Sequence, residues 1–166
     1  MVHALDATER AAILDTLLAD HPDLVRRAEA LARQVLDDVD EDAVAAEVVK
    51  VYLGMEIQRI GDRMGRQLGG GYVDENEAAW ALLEEALEPF LTQITRRGRL
   101  GFTDTARRYA TGVLAGLDDL RTDAGEDTVF GWASPDETAD ELGWSVRHAA
   151  EQAGAHVPDQ TGTEPR

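Results

Sequence analysis

Three groups of residues in this chain have the types and spacing that chemistry needs. Glu84, Glu85 and Glu88 place carboxylates at helical spacing, the raw material of a carboxylate metal centre. Such centres take Glu and Glu-x-x-His pairs from facing helices of a bundle. No Glu-x-x-His occurs here. His148 and Glu151 stand in the reverse order, and the four histidines, at 3, 21, 148 and 156, form no recognisable ligand set. A solvated acidic helix face accounts for these glutamates, so the reading is no catalytic set, no metal site and no cofactor.

The second group is Gly69-Gly70-Gly71, just ahead of a helix start. A phosphate loop supplies backbone amides, a helix N-terminus and usually a lysine. No Gly-Lys-Ser/Thr comes after the glycines, and the next helix opens with Asp74, Glu75 and Glu77. Those carboxylates occupy the positive end of the helix dipole and repel a phosphate. The glycines read as a connector or a tight helix-helix turn.

The third group is positive charge inside an acidic chain. Arg96, Arg97, Arg99, Arg107 and Arg108 bracket a turn at Gly101 and are opposed locally only by Asp104. The first three suit a helix C-terminus; Arg107 and Arg108 near the next N-terminus do not. They read as ion pairs with the chain's carboxylates or contacts to an acidic partner. The sharper alternative is an anion or nucleic-acid site at the tip of a helical hairpin. Arg59, Arg63 and Arg66 make a second row. Phe130 and Trp132 stand in a predicted loop, where they either pin it to the core or form an aromatic contact for a partner.

These residues sit in a chain of 166, with 33 acidic groups against 16 basic ones and a net charge of −17. Lys50 is the only lysine. That balance disfavours nonspecific binding to nucleic acid or anionic membranes. It fits adaptation to a salt-rich cytosol, and it equally fits GC-rich codon bias. With no cysteine, disulfides, thiolate zinc sites and cysteine nucleophiles are excluded. Residues 1–20 do not read as a signal peptide, and no apolar run is long enough to span a bilayer. The expected location is the cytoplasm.

The elements that must position these groups are helices. Asp6 with Glu9, and Asp74 with Glu77, form capping boxes, and Asp40 caps a third helix. His21-Pro22 divides the first helix from the second. Apolar stripes recur at helical period: Ile13, Leu14, Leu17 and Leu18; Leu24, Val25, Ala28, Leu31, Ala32 and Val35; Val44, Val48, Val51, Tyr52 and Met55. Gly54, Gly61 and Gly65 weaken the helical pattern beyond Leu53, leaving a kinked or separate short helix to about Gln67. A long helix from Asp74 carries Pro89, which predicts a kink. Thr103 caps the next helix, where Gly112 and Gly116 permit close approach of a neighbour. Residues 123–131 read as loop. Ser134-Pro135-Asp136-Glu137 starts the last helix with a cap, a first-turn proline and a capping box.

The segment GYVDENEAAWALLEEALEPFL (residues 71–91), with HPDLVRRAEAL upstream and LGFTDTARRYATGVLAGL downstream, resembles the uncharacterised helical region of bacterial and archaeal proteins associated with SWIM-type zinc fingers. The resemblance spans roughly residues 10–120. The finger itself needs cysteines, which this chain lacks, so its metal and DNA binding do not carry over. What the resemblance implies is an all-α interaction domain.

The expectation is therefore all-α: about six helices in an antiparallel bundle or stacked helical hairpins, with a Pro-kinked long helix in the middle. One domain covers residues 1–154 and a loose tail covers 155–166. The expected function is non-enzymatic, binding another protein or a second copy. The alternative is an anion or nucleic-acid accessory protein acting through the arginine hairpin; a carboxylate or metal enzyme comes last.

Overall fold

Helices begin where the sequence offers an acceptor for their unpaired amides. In a computed structural model, which describes residues 4–66 and 71–158, the carboxylate of Asp6 accepts from the Glu9 amide at 2.8 Å while Glu9 accepts from the Asp6 amide at 3.0 Å. This opens α1, Ala7–Asp20. Pro22–Leu24 form one 3-10 turn and lead into α2, Val25–Asp37. Asp40 accepts from the amides of Asp42 and Ala43 and opens α3, Glu41–Leu53. α4, Gln58–Arg63, is short. The second capping box, Asp74 with Glu77, opens α5, Glu75–Arg99. α6 is Thr103–Asp123, α7 a single turn at Val129–Trp132, and α8 Pro135–Gln152. The class is all-α, as the sequence indicates. Among the described residues, no helix is long and apolar enough to cross a membrane.

The chain divides into two compact units, Met1–Asp38 and Val39–Arg166. This replaces the single domain over 1–154. The reason lies in burial: no residue of α1 or α2 is buried, whereas the core of the second unit is drawn from Val44 onward. In that second unit α6 is central, with α3, α5 and α8 packed on it. Val48, Leu83, Ile94, Val113, Leu117, Leu120, Phe130 and Val146 are fully or almost fully buried. Gly112 and Gly116 set the α3–α6 crossing. A Cβ on Gly112 would lie 2.7 Å from the Glu41 carbonyl oxygen, and one on Gly116 would lie 2.6 Å from that of Ala45.

Several local expectations change. The short helix ends at Arg63, and Gly65–Arg66 pair antiparallel with Tyr72–Val73. Gly65 has φ +116°, which no helix contains. Gly69 and Gly70 of the triple glycine lie outside the described residues. α5 continues as helix on both sides of Pro89, the position where a kink is expected. Pro89 is exposed, so water can satisfy the Glu85 carbonyl that the proline leaves unpaired. Thr103 is the first helical residue and not the cap, which falls on Phe102. Ser134 occupies the cap of α8 but has φ 63° and no side-chain cap hydrogen bond, so the expected capping box does not form. Instead the Thr138 hydroxyl donates to the Ala133 carbonyl at 2.7 Å. Ala155 and Val157 are buried, so packed chain continues past residue 154; the rest of the predicted tail, 159–166, lies outside the described residues.

Candidate interaction surfaces

The hairpin of α5 and α6 brings the five arginines to one corner of the fold but not to one site. Arg97 turns inward into a cleft of about 570 Å³ between α3, α5 and α6, shared with Glu47, Gln93 and Tyr109. Its guanidinium lies over the Tyr109 ring, 4.5 Å from the centroid. Nη1 donates to the Gln93 carbonyl at 3.2 Å and to its side-chain oxygen at 2.8 Å. Burial, partly offset by Tyr109 and reinforced by Arg96, lowers the Arg97 pKa from its usual value. Burial, then the charge of Glu47, raises that of Tyr109, while Arg97 pulls it back. At neutral pH the pair is thus a cation on a neutral ring, a packing device at the hairpin's root.

Arg108 faces elsewhere. Its Nη1 donates to the Val39 carbonyl at 3.1 Å, at the entrance to α3. Arg96 and Arg99 line a shallow groove along the outside of α5 with Leu91, Thr95 and Leu100. Arg107 is exposed on α6. Arg97 and Arg108 are therefore engaged within the chain, and the five cations are spread over different surfaces. Of the second arginine row, Arg63 pairs with Glu85, one of the three glutamates at helical spacing. Only the backbone of Arg66 is described. Among the described residues, no three of His, Asp and Glu converge as a metal site.

The aromatic pair splits. Phe130 is fully buried and meets Tyr52 edge-on, with centroids 5.4 Å apart and planes at 74°. It cannot serve as a surface contact. Trp132 is half-buried against the core. Both belong to α7, which is knitted to the α3–α4 connection. The Ile57 amide donates to the Asp127 carbonyl at 3.0 Å, and the Val129 amide donates to that of Met55 at 2.9 Å. Thr128 caps the turn, accepting from the Gly131 amide at 3.0 Å while donating to the Gly125 carbonyl at 2.7 Å. Phe130 is thus part of the core, and Trp132 is partly covered by it.

Large apolar side chains are exposed along the stripes of α1 and α2, at Trp144 of α8, and singly at Leu53, Met64, Tyr72 and Leu100. Ile13, Leu14 and Leu17 of α1 are 44–49% exposed; Leu31 and Val35 of α2 are 54% and 72% exposed. α1 and α2 meet the 3-10 turn between them but do not pack along each other. On α8, Trp144 is 64% exposed and stacks on His148 with centroids 5.2 Å apart. Helical spacing alone could have found it: it falls on the side of the helix opposite Leu142 and Val146. Set against known family models, curated proteins and solved structures, the chain matches none of them.

Proposed function

We propose that this chain is a non-enzymatic helical interaction module that binds protein through its N-terminal pair of helices. The observation that carries the reading is the unburied apolar face of α1 and α2. Two helices of 14 and 13 residues are marginal alone in water. A segment of this length rarely folds without a partner, a metal or a disulfide. Cysteine is absent, and a second protein surface supplies what the segment lacks. The resemblance of residues 10–120 to the SWIM-associated helical region points the same way. A cytoplasmic setting, where hydration and screening keep a chain of net −17 dispersed, is part of the same reading.

The test is a pull-down from native lysate, with and without nuclease, using the wild-type chain and a Leu17→Glu/Leu31→Glu variant. The expected result is protein recovered by the wild type despite nuclease and lost with the variant. Equal recovery by both chains overturns the proposal. So does nuclease-sensitive recovery of nucleic acid, which would promote the exposed arginines Arg96, Arg99 and Arg107.

A further inference from the structure

We infer that the partner of this N-terminal segment is a second copy of the chain, with α1 of each copy lying antiparallel on α2 of the other. The inference rests on the interaction reading above and names its occupant. Three observations carry it.

The first is the matched spacing of the exposed rows. In α1, Ile13 and Leu17 stand four apart, with Asp20 three residues further on. In α2, Arg27, Leu31 and Val35 stand four apart. Residues at these intervals share a helix face. Laid antiparallel, Leu17 meets Leu31, Ile13 meets Val35 and Asp20 meets Arg27. Each apolar residue finds an apolar one, and the acid finds the base.

The second is charge. In a chain of net −17, most surfaces repel a second copy. α2 as a whole is an exception, with Arg26, Arg27 and Arg33 against Glu29 and Asp37, and of these arginines Arg27 shares the face of Leu31 and Val35. α1 has the opposite balance, with Glu9, Asp15 and Asp20 against Arg10. One chain thus carries both halves of a complementary pair, as an interface with two-fold symmetry requires, because each contact is made twice with the roles exchanged. Repulsion between the remaining charges is screened beyond roughly 8–10 Å at physiological salt, so the local pairs decide.

The third is area. At 1.5 Å per residue, α1 and α2 are about 21 and 20 Å long and each about 10 Å wide. Covering one face of each in both copies removes on the order of 1,000 Å² from water, at the lower edge of specific interfaces. Interfaces of that size include weak and transient ones, so association is sought up to high micromolar concentration. Because α1 and α2 do not pack along each other, neither face is already occupied by its neighbour in sequence.

The experiment is sedimentation equilibrium of the full chain from about 1 to 200 µM, on wild type, Leu17→Glu, Leu31→Glu, Asp20→Arg and Arg27→Glu. Circular dichroism on each confirms that the second unit, which none of these substitutions touches, keeps its helices. The wild type should dimerise. Either leucine variant should weaken the dimer at least tenfold. Asp20→Arg and Arg27→Glu should each weaken it several-fold by bringing like charges together. An equimolar mixture of these two variants should recover the wild-type association, since both contacts become opposite-charge pairs again. A wild-type monomer at 200 µM overturns the inference, as does a dimer indifferent to the leucine variants or a mixture no tighter than its components. A monomer whose lysate capture still depends on Leu17 and Leu31 would sink the second copy alone. A monomer with no such capture would sink the interaction reading as well.

Discussion

Replacing glycine by alanine should have opposite signs at two kinds of position in this protein, and the difference tests the packing of its core. Gly116 lies in α6 where that helix crosses α3. An added Cβ would stand 2.6 Å from the Ala45 carbonyl oxygen, 2.8 Å from the Val48 Cβ and 3.1 Å from the Ala45 Cα. At Gly112 the corresponding obstacles are the Glu41 carbonyl oxygen at 2.7 Å and the Val44 Cβ at 2.9 Å. Ordinary contact begins near 3.4 Å, so the helices must part by roughly 0.5–1 Å, which forfeits a quarter to a half of the dispersion energy along the seam. Overpacking of this kind costs about 1–3 kcal/mol, with the upper end apt because the obstacles are backbone. Alanine returns about 1 kcal/mol of helix propensity. The expected net loss is about 1–2 kcal/mol at either site. A double variant should lose less than the two losses added, since one separation of the helices relieves both clashes. Gly61 in α4 has nothing within 4 Å of its would-be Cβ, so Gly61→Ala should gain about 0.5–1 kcal/mol. The assay is urea unfolding followed by tryptophan fluorescence. Trp80, Trp132 and Trp144 all lie in the second unit, so the signal reports that unit. If Gly112→Ala and Gly116→Ala stabilise the protein as Gly61→Ala does, the close α3–α6 crossing is refuted.

Other outcomes rest on single side chains. Ser134 holds φ 63° without a cap hydrogen bond, so Ser134→Gly should raise stability by about 0.5–1 kcal/mol, while Ser134→Val should lower it, both read by thermal melting. Phe130→Ala should cost about 3–5 kcal/mol, and half-buried Trp132→Ala distinctly less, by the same urea assay. Burial holds the Tyr52 pKa well above its usual value and raises that of Tyr109 in the same direction. Both hydroxyls therefore contribute stability that is complete below the unfolded-state pKa near 10 and lost as pH climbs toward the folded-state values. Urea midpoints should fall above pH 10, with Tyr52 contributing up to about 1.4 kcal/mol per pH unit. Tyr52→Phe should flatten that fall, at a cost near 1 kcal/mol at pH 8 for the lost bond to the Leu83 carbonyl. An unchanged pH profile in Tyr52→Phe would show that its burial is not the cause.

What the sequence revealed and what it hid divide by range. The Asp6–Glu9 and Asp74–Glu77 boxes and the Asp40 cap depend on residues three apart or closer, and they were legible. Gly112 and Gly116, four apart in an apolar stripe, announced a close crossing without naming α3 as the neighbour. Ser134-Pro135-Asp136-Glu137 has the pattern of a capping box, yet the chain enters α8 through a left-handed residue. The entry comes directly after α7, itself tied to residues 55 and 57, a constraint no local pattern contains. The arginines were seen as a cluster because they are neighbours in sequence. Helical geometry then sent Arg97 into the cleft and Arg96 and Arg99 outward. The boundary near Asp38 was invisible for a related reason: the stripes of α1 and α2 have the same period as those that fill the core. Periodicity tells which face seeks cover, not whether the same chain provides it.

That distinction bears on function more than the charged clusters do. A cation among carboxylates finds an internal use easily: Arg121 alone is bonded to Asp118, Asp136 and Asp140, and Arg63 to Glu85. In a chain with twice as many acids as bases such pairs form readily, each worth at most about 1 kcal/mol at the surface. Apolar surface has no comparable outlet, because water satisfies an exposed carboxylate but not an exposed leucine. The second unit resolves this by filling its interior with the side chains of α3, α5, α6, α7 and α8. The first unit leaves Ile13, Leu14, Leu17, Leu31 and Val35 in solvent, half of the large apolar side chains exposed among the described residues, in fewer than a quarter of the positions. On the interaction reading proposed above, a concentration of that kind, with Asp20 on one helix and Arg27 on the other, is where association would gain most.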